Sequence, residues 1–464
     1  MTGQLGVVSG TAVDVVCARR LQDGDPGGHI RRALAAFPVP EVAQRIIDTY
    51  FVDGGIPADA PYRPVLRHTL SSAPRLVELT VAANFVEVYL AKEGHDGLVG
   101  MNYLRKIELP LPAGCYGAIL AGVDYFLVGA GSPAEIPELV RRLSRHEPVT
   151  MAVKVMGARS TDNVGGLHFD PRGVVPNPPP VAAPPQVLAI IASSDLATGL
   201  AGDPGSRPDG FVVEGPLAGG HNAPPRGPRQ VDEVGQPVYG ERDVVDIPSI
   251  VALGLPVWLA GAQASPEGLR AAISLGAVGI QAGTVFAYSD ESGFDPALKQ
   301  QLREGVERGD LTVRADWRVS PTGFPFRVAE LPGTLSDTAV VAERQPVCDL
   351  GVLRTAYLKP NGDVDYRCPA EPATAYLRKG GREVNREGRV CLCNALLASA
   401  GLPQRRPNGF VEPPLATSGS DVSPVVTLLR RRPVDAPADE PPEHPLGHGY
   451  TAAQAVDYVL GTVG

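Results

Sequence analysis

VWLAGAQASPEGLRAAISLGAVGIQAGTVFA, residues 257–287, reads as strand, turn, helix, turn, strand. Val257–Ala260 is a short apolar run without polar alternation, the pattern of a parallel strand covered on both faces. Ser265-Pro266-Glu267 follows as N-cap, first-position proline and first-turn acid, and GLRAAISL then stops at Gly276, a helix C-cap. The next apolar run, Gly279–Gln281, again ends in small residues. One βα unit is complete here, and a second strand begins.

Working outward, the same unit recurs. Leu5–Ser9, Leu98–Asn102, Tyr125–Val128, Met151–Val155, Val187–Ala192 and Phe211–Glu214 are further short apolar runs, mostly with helical patterns between them. The stretch 76–93 reads as one of those helices, although LTV and FVEVYL within it could form a strand and shift the strand register. Eight βα units in about 290 residues predict an α/β fold, a (β/α)₈ TIM barrel. The expected domains are a barrel over 1–335 and an irregular C-terminal extension over 336–464, where the βα rhythm stops. Residues 174–185 read as a proline-rich loop. Residues 222–243 form a polar insertion after the sixth run, on the face where barrels do chemistry, and are expected to act as a lid or substrate wall. An acidic proline-rich stretch occupies 433–446, and a short helix is expected near 451–460.

Composition narrows the function. The chain has 53 Gly and 47 Pro, 100 of 464 residues, yet 44% hydrophobic and 20% charged residues keep it in the globular class. The Gly and Pro therefore belong to loops. A net charge of −9 without a basic stripe argues against nucleic acid and anionic membranes as partners. No window of about 18 apolar residues predicts a membrane span. With six Cys and no basic stretch ahead of an apolar one at the start, the expected compartment is a reducing cytoplasm.

Two motifs carry chemistry. Gly215-Pro216-Leu217-Ala218-Gly219-Gly220-His221 follows the sixth run; its glycines allow close approach to a planar ligand, and His221 can exchange a proton near neutral pH. An ordinary glycine-rich turn with a surface His reads equally well. The second motif is paired: Gly261-Ala262 and Gln281-Ala282-Gly283-Thr284 end successive runs, where main-chain N–H groups and the Thr284 hydroxyl suit a phosphate. Tight helix–strand packing is its alternative.

FVVEGPLAGGH, the Gly261 turn and LGAVGIQAGTVFAYSDES together resemble the nitronate monooxygenase family, formerly 2-nitropropane dioxygenase, whose relatives include flavin enoyl-thioester reductases. The resemblance is strong over about 210–293 and weaker over 1–200. It implies an FMN-dependent barrel in which Gly261, Ala262, Gly283 and Thr284 hold the phosphate and Gln281 and Ala282 line that site. It also implies that Gly219, Gly220 and His221 lie beside the flavin, with His221 as base or electrostatic stabiliser. Ser9, Gly10 and Asn102 match family flavin contacts more loosely, since the proline and methionine of the first turn are missing. Ala262 replaces a glycine, and alanine takes positive φ with difficulty.

Cys348, Cys368, Cys391 and Cys393 fall within 46 residues and are predicted to converge on one metal centre, Zn or iron–sulfur. Their spacing lacks the usual C-x₂-C knuckle, and four independent thiols are the alternative. His29, His68, His95, His168, His444 and His448 show no metal spacing, and the carboxylates of EVYLAKE and PAEIPEL read as solvent faces. The function expected is an FMN-dependent oxidoreductase that oxidises a small nitronate with O₂. Its rivals are an enoyl-thioester reductase using NAD(P)H and a non-catalytic flavin- or metal-binding accessory protein. A homodimer is left open.

Overall fold

A computed structural model describes residues 3–431, apart from 160, 161, 163 and 165, and residues 449–462. The acidic stretch 433–446, His444 and His448 lie outside the described residues.

The strands, in chain order, are β1 (Gly6–Ser9), β2 (Val99–Leu104), β3 (Tyr125–Gly129), β4 (Val149–Met151), β5 (Leu167–Phe169), β6 (Gln186–Ile191) and β7 (Gly210–Glu214). They continue with β8 (Gly220–His221), β9 (Val257–Ala260), β10 (Gly279–Gln281), β11 (Val313–Asp316), β12 (Phe326–Ala329), β13 (Thr355–Leu358) and β14 (Val364–Arg367). Seven of them form one sheet in the order β1-β2-β3-β6-β7-β9-β10. Every ladder in it is parallel. Ser9, Asn102, Gly129, Ile191 and Glu214, at the C-terminal ends of five of these strands, all face one cavity, so the sheet is curled around it. This is the α/β barrel architecture, with helices such as Pro74–Lys92 and Pro266–Ser274 packed outside. Ser193 caps the helix after β6 and Ser265 the helix after β9, each accepting a main-chain N–H.

The strand count differs from the eight expected. The run at 151–155 does not enter the sheet; β3 pairs directly with β6. Instead β4 pairs antiparallel with β5, and Met156 joins β13, its N–H donating to Ala356 O at 2.9 Å. The apolar character of this run has another cause: Val155 is buried with Ala356 and Tyr366 of the β13–β14 hairpin, and half-buried Val153 packs against them. The extension thus takes a strand that periodicity assigns to the barrel. Among the described residues no ladder joins the sheet edges β1 and β10.

Residues beyond the last parallel strand fold back over the cavity. β11, β12 and β8 make a three-stranded antiparallel sheet, with Phe326 opposite His221. Arg19 donates to Leu402 O, and Asp290 N–H to Tyr450 O at 2.9 Å, tying the extension to the barrel on two sides.

Candidate functional site

The cavity at the C-terminal strand ends has a volume of about 860 Å³, within the range of cofactor and ligand sites. Barrel residues form its floor. The insertion supplies Ala223, Pro224, Arg226 and Tyr239, so it does form a wall of the site. The extension supplies Leu353, Leu392, Cys393, Leu396 and Leu397, an apolar wall that periodicity did not foretell.

His221 lies on β8, not on a free loop. Its Nε2 is 2.6 Å from Ser320 Oγ, which is itself 2.8 Å from Thr322 Oγ1, and Phe326 meets the imidazole edge-on. Burial, reinforced by the Lys106 ammonium, pushes the imidazole down to about 3, so it is neutral near pH 7. Lys106 rests on the face of Phe324, and its Nζ is buried without a hydrogen-bond partner. Burial lowers it to about 6. An anion entering beside these groups would raise the proton affinity of both.

Glu214, the last residue of β7, also faces the cavity, and desolvation raises its carboxyl to about 7. Sequence reasoning missed it, although it stands in the quoted motif directly before Gly215. Glu87 of EVYLAKE, expected to face solvent, lines the cavity too, 3.9 Å from Arg20. Helical spacing puts one face of that helix in the core, but it cannot show that a second helix, Val13–Gln22, brings Arg20 to meet this carboxylate.

Ser9, Asn102, Gly219, Gly220 and His221 line the main cavity together. Gly10 lies behind it, against the Tyr103 ring, in a small neighbouring cavity. Gly261, Ala262, Gln281, Ala282, Gly283 and Thr284 do not line the main cavity. The reason lies in the extension. Thr417–Ser420 threads between the two motifs: Gly220 N–H donates to Thr417 Oγ1 at 2.8 Å, and Gly419 N–H to Thr284 Oγ1 at 3.0 Å. A Cβ on Gly219 would come within 3.0 Å of Gly419 N, so this glycine admits the protein's own chain.

Ala262 does adopt the left-handed conformation, φ 57°, directly after Gly261 at φ 85°. Ala12 (φ 54°) and Ala130 (φ 56°), in the turns after β1 and β3, do the same and line the cavity. Each costs about 1–2 kcal/mol. Of the five non-glycine residues at positive φ among the described residues, Ala12 and Ala130 lie on the cavity wall.

Small residues and Asn102 around an open space fit a flavin ring. At the second motif the ideal Cβ position of Gly283 meets nothing within 4 Å and Gln281 Oε1 is buried without a partner, but Thr417–Ser420 lies between this motif and the cavity.

The four clustered cysteines line one small separate cavity, and none is disulfide-bonded. Among the described residues no three or more His, Cys, Asp or Glu stand in an arrangement that would hold an ion as they are. His95 and His168 are exposed, away from the main cavity. No described helix is long and apolar enough to cross a membrane.

Comparison with known proteins bears out the resemblance. Residues 184–318 match the nitronate monooxygenase family, a span that includes the 210–293 stretch. No curated protein matches the chain. Among solved structures, FabK from Thermotoga maritima is 20% identical with a TM-score of 0.35, covering 59% of this chain and 64% of its own. A nitroalkane oxidase from Streptomyces ansochromogenes is 15% identical with a TM-score of 0.33, covering 50% and 62%. The enoyl reductase domain of MlnA from Bacillus amyloliquefaciens is 13% identical with a TM-score of 0.34, covering 57% and 59%. The chain thus spans less than two thirds of each of these structures, and the fold assignment rests on its own strand ladder.

Proposed function

We propose that the chain is an FMN-dependent oxidoreductase that oxidises an anionic carbon acid of the nitronate type, with O₂ as final oxidant. The observation that carries this reading is the neutral His221 on the wall of a large cavity, with the buried, unpartnered Nζ of Lys106 close enough to act on it. A neutral imidazole held near 3 is a weak base for a neutral C–H acid. It is well suited to an anion that arrives already deprotonated, because such an anion offers oxygens to the imidazole N–H and raises the proton affinity of both His221 and Lys106.

In this reading the isoalloxazine lies among Ser9, Asn102, Gly219 and Gly220. The phosphate is held by Gly261, Ala262, Gly283 and Thr284, with Gln281 and Ala282 beside it, which requires Thr417–Ser420 to move from between the two motifs. Gly10 backs the ring through Tyr103. Bound FMN supplies the acceptor for the substrate's electrons; the protein supplies position and electrostatics. Ser320 fixes the His221 ring through Nε2. Glu214, titrating near 7, can hold or release a proton at the cavity wall.

A second reading has one observation in its favour. The wall of Leu353, Leu392, Leu396 and Leu397 offers more apolar surface than a small nitronate needs, and suits an enoyl thioester reduced with NAD(P)H. Anaerobic mixing with each reductant separates the two: flavin bleaching by an alkyl nitronate without nicotinamide supports the first, and bleaching only by NAD(P)H overturns it.

A further inference from the structure

Cys348, Cys368, Cys391 and Cys393 come from three separate segments: a loop before β13, the residue after β14, and the N-terminus of the helix Leu392–Ser399. Four of the chain's six cysteines meet around a cavity of about 10 Å³, room for one water-sized particle. We propose that these four thiols bind a single Zn²⁺ ion.

Size favours one ion over a cluster, because a multi-iron core would have to displace the wall. Polar groups also reach the sulfurs. Asn394, fully buried, directs Nδ2 to the Cys391 sulfur at 3.6 Å and to Asp349 Oδ1 at 2.8 Å, joining one ligand to the neighbour of another. Main-chain amides of Ala370, Asn394 and Leu353 interact with the sulfurs of Cys368, Cys391 and Cys393. Such outer contacts orient metal-bound thiolates. A tetrathiolate zinc carries a net charge of −2, and the Arg354 guanidinium on the cavity wall offsets half of it.

The sulfurs as they stand do not complete a coordination sphere. A change of χ1 rotamer moves a sulfur by roughly 3 Å, so the proposal requires the cysteine side chains to rotate about the cavity they share. The position gives the ion a consequence for the main site. Leu353, Leu392 and Cys393 line both cavities, so the zinc would fasten the wall behind which the substrate sits. The proposal stands apart from the flavin reading, because it concerns metal content alone.

The test is elemental analysis of the full chain purified without chelator, followed by titration with an organomercurial. We expect one zinc per chain, released as four thiols react, with buried Cys17 and Cys115 unreacted. Asn394→Ala, which leaves all four sulfurs in place, should weaken zinc affinity about 10–100-fold. Cobalt exchanged into the site should show the charge-transfer bands of a tetrahedral thiolate complex. Protein without stoichiometric zinc whose four thiols titrate freely overturns the proposal, as does iron with acid-labile sulfide. If the variant does not fold, the wild-type titration decides alone.

Discussion

Replacing Glu214 by Gln tests whether the cavity wall carries a desolvated carboxyl. Burial raises this group from 4.5 to about 7, with no ion pair compensating. Below pH 4.5 it is protonated in folded and unfolded chains alike, and costs nothing. Between 4.5 and 7 the unfolded chain loses the proton and the folded chain keeps it, so stability falls as pH rises. The loss levels off above pH 7. The rise corresponds to about 3 kcal/mol, an upper bound because the carboxyl opens on the cavity. Glu214→Gln removes the effect, so the two proteins should have similar stability at about pH 4.5 and the variant should be more stable at about pH 8. Paired urea denaturation at both values measures the difference. Equal pH dependence in the two proteins would refute the reasoning, and would mean that water already solvates Glu214.

Three further outcomes follow from the site. His221→Ala should keep its flavin and lose about 10²–10³-fold in turnover, the usual cost of removing one hydrogen-bond donor to an anion; rates like the wild type's in steady-state assays would make it a bystander. Gly283→Val should fold normally, since its Cβ meets open space at an ordinary φ of −126°, and should lose flavin through collision with the phosphate; full flavin occupancy by absorbance would mean that the phosphate lies elsewhere. Ala262→Gly should stabilise the chain by about 1 kcal/mol by relieving its left-handed backbone; an unchanged denaturation midpoint would show that the turn is not strained in solution.

What is legible in the sequence is local. The βα unit at 257–281 can be read because its cap, proline and stop signal are neighbours along the chain, and each appears where the sequence puts it. The helix over 76–93 is less legible, because LTV and FVEVYL within it also suit a strand, but the helix forms. Val153 and Val155 mislead because burial leaves the same mark whether the cover is a barrel helix or a distant hairpin. The site is half legible. His221 and its glycines announce themselves, but Lys106, Ser320 and Phe324 reach the same place from other segments, and nothing in their local sequence marks them. Gly219 is misread for the same reason: its small size is evident, while the group it admits, Gly419, lies about 200 residues away.

The absorption spectrum of the purified chain, followed by release and identification of its chromophore, tests the central claim most directly. The account predicts two flavin bands and one FMN per chain, bleached by an alkyl nitronate without air and restored by O₂. A colourless protein that does not take up added FMN would contradict it.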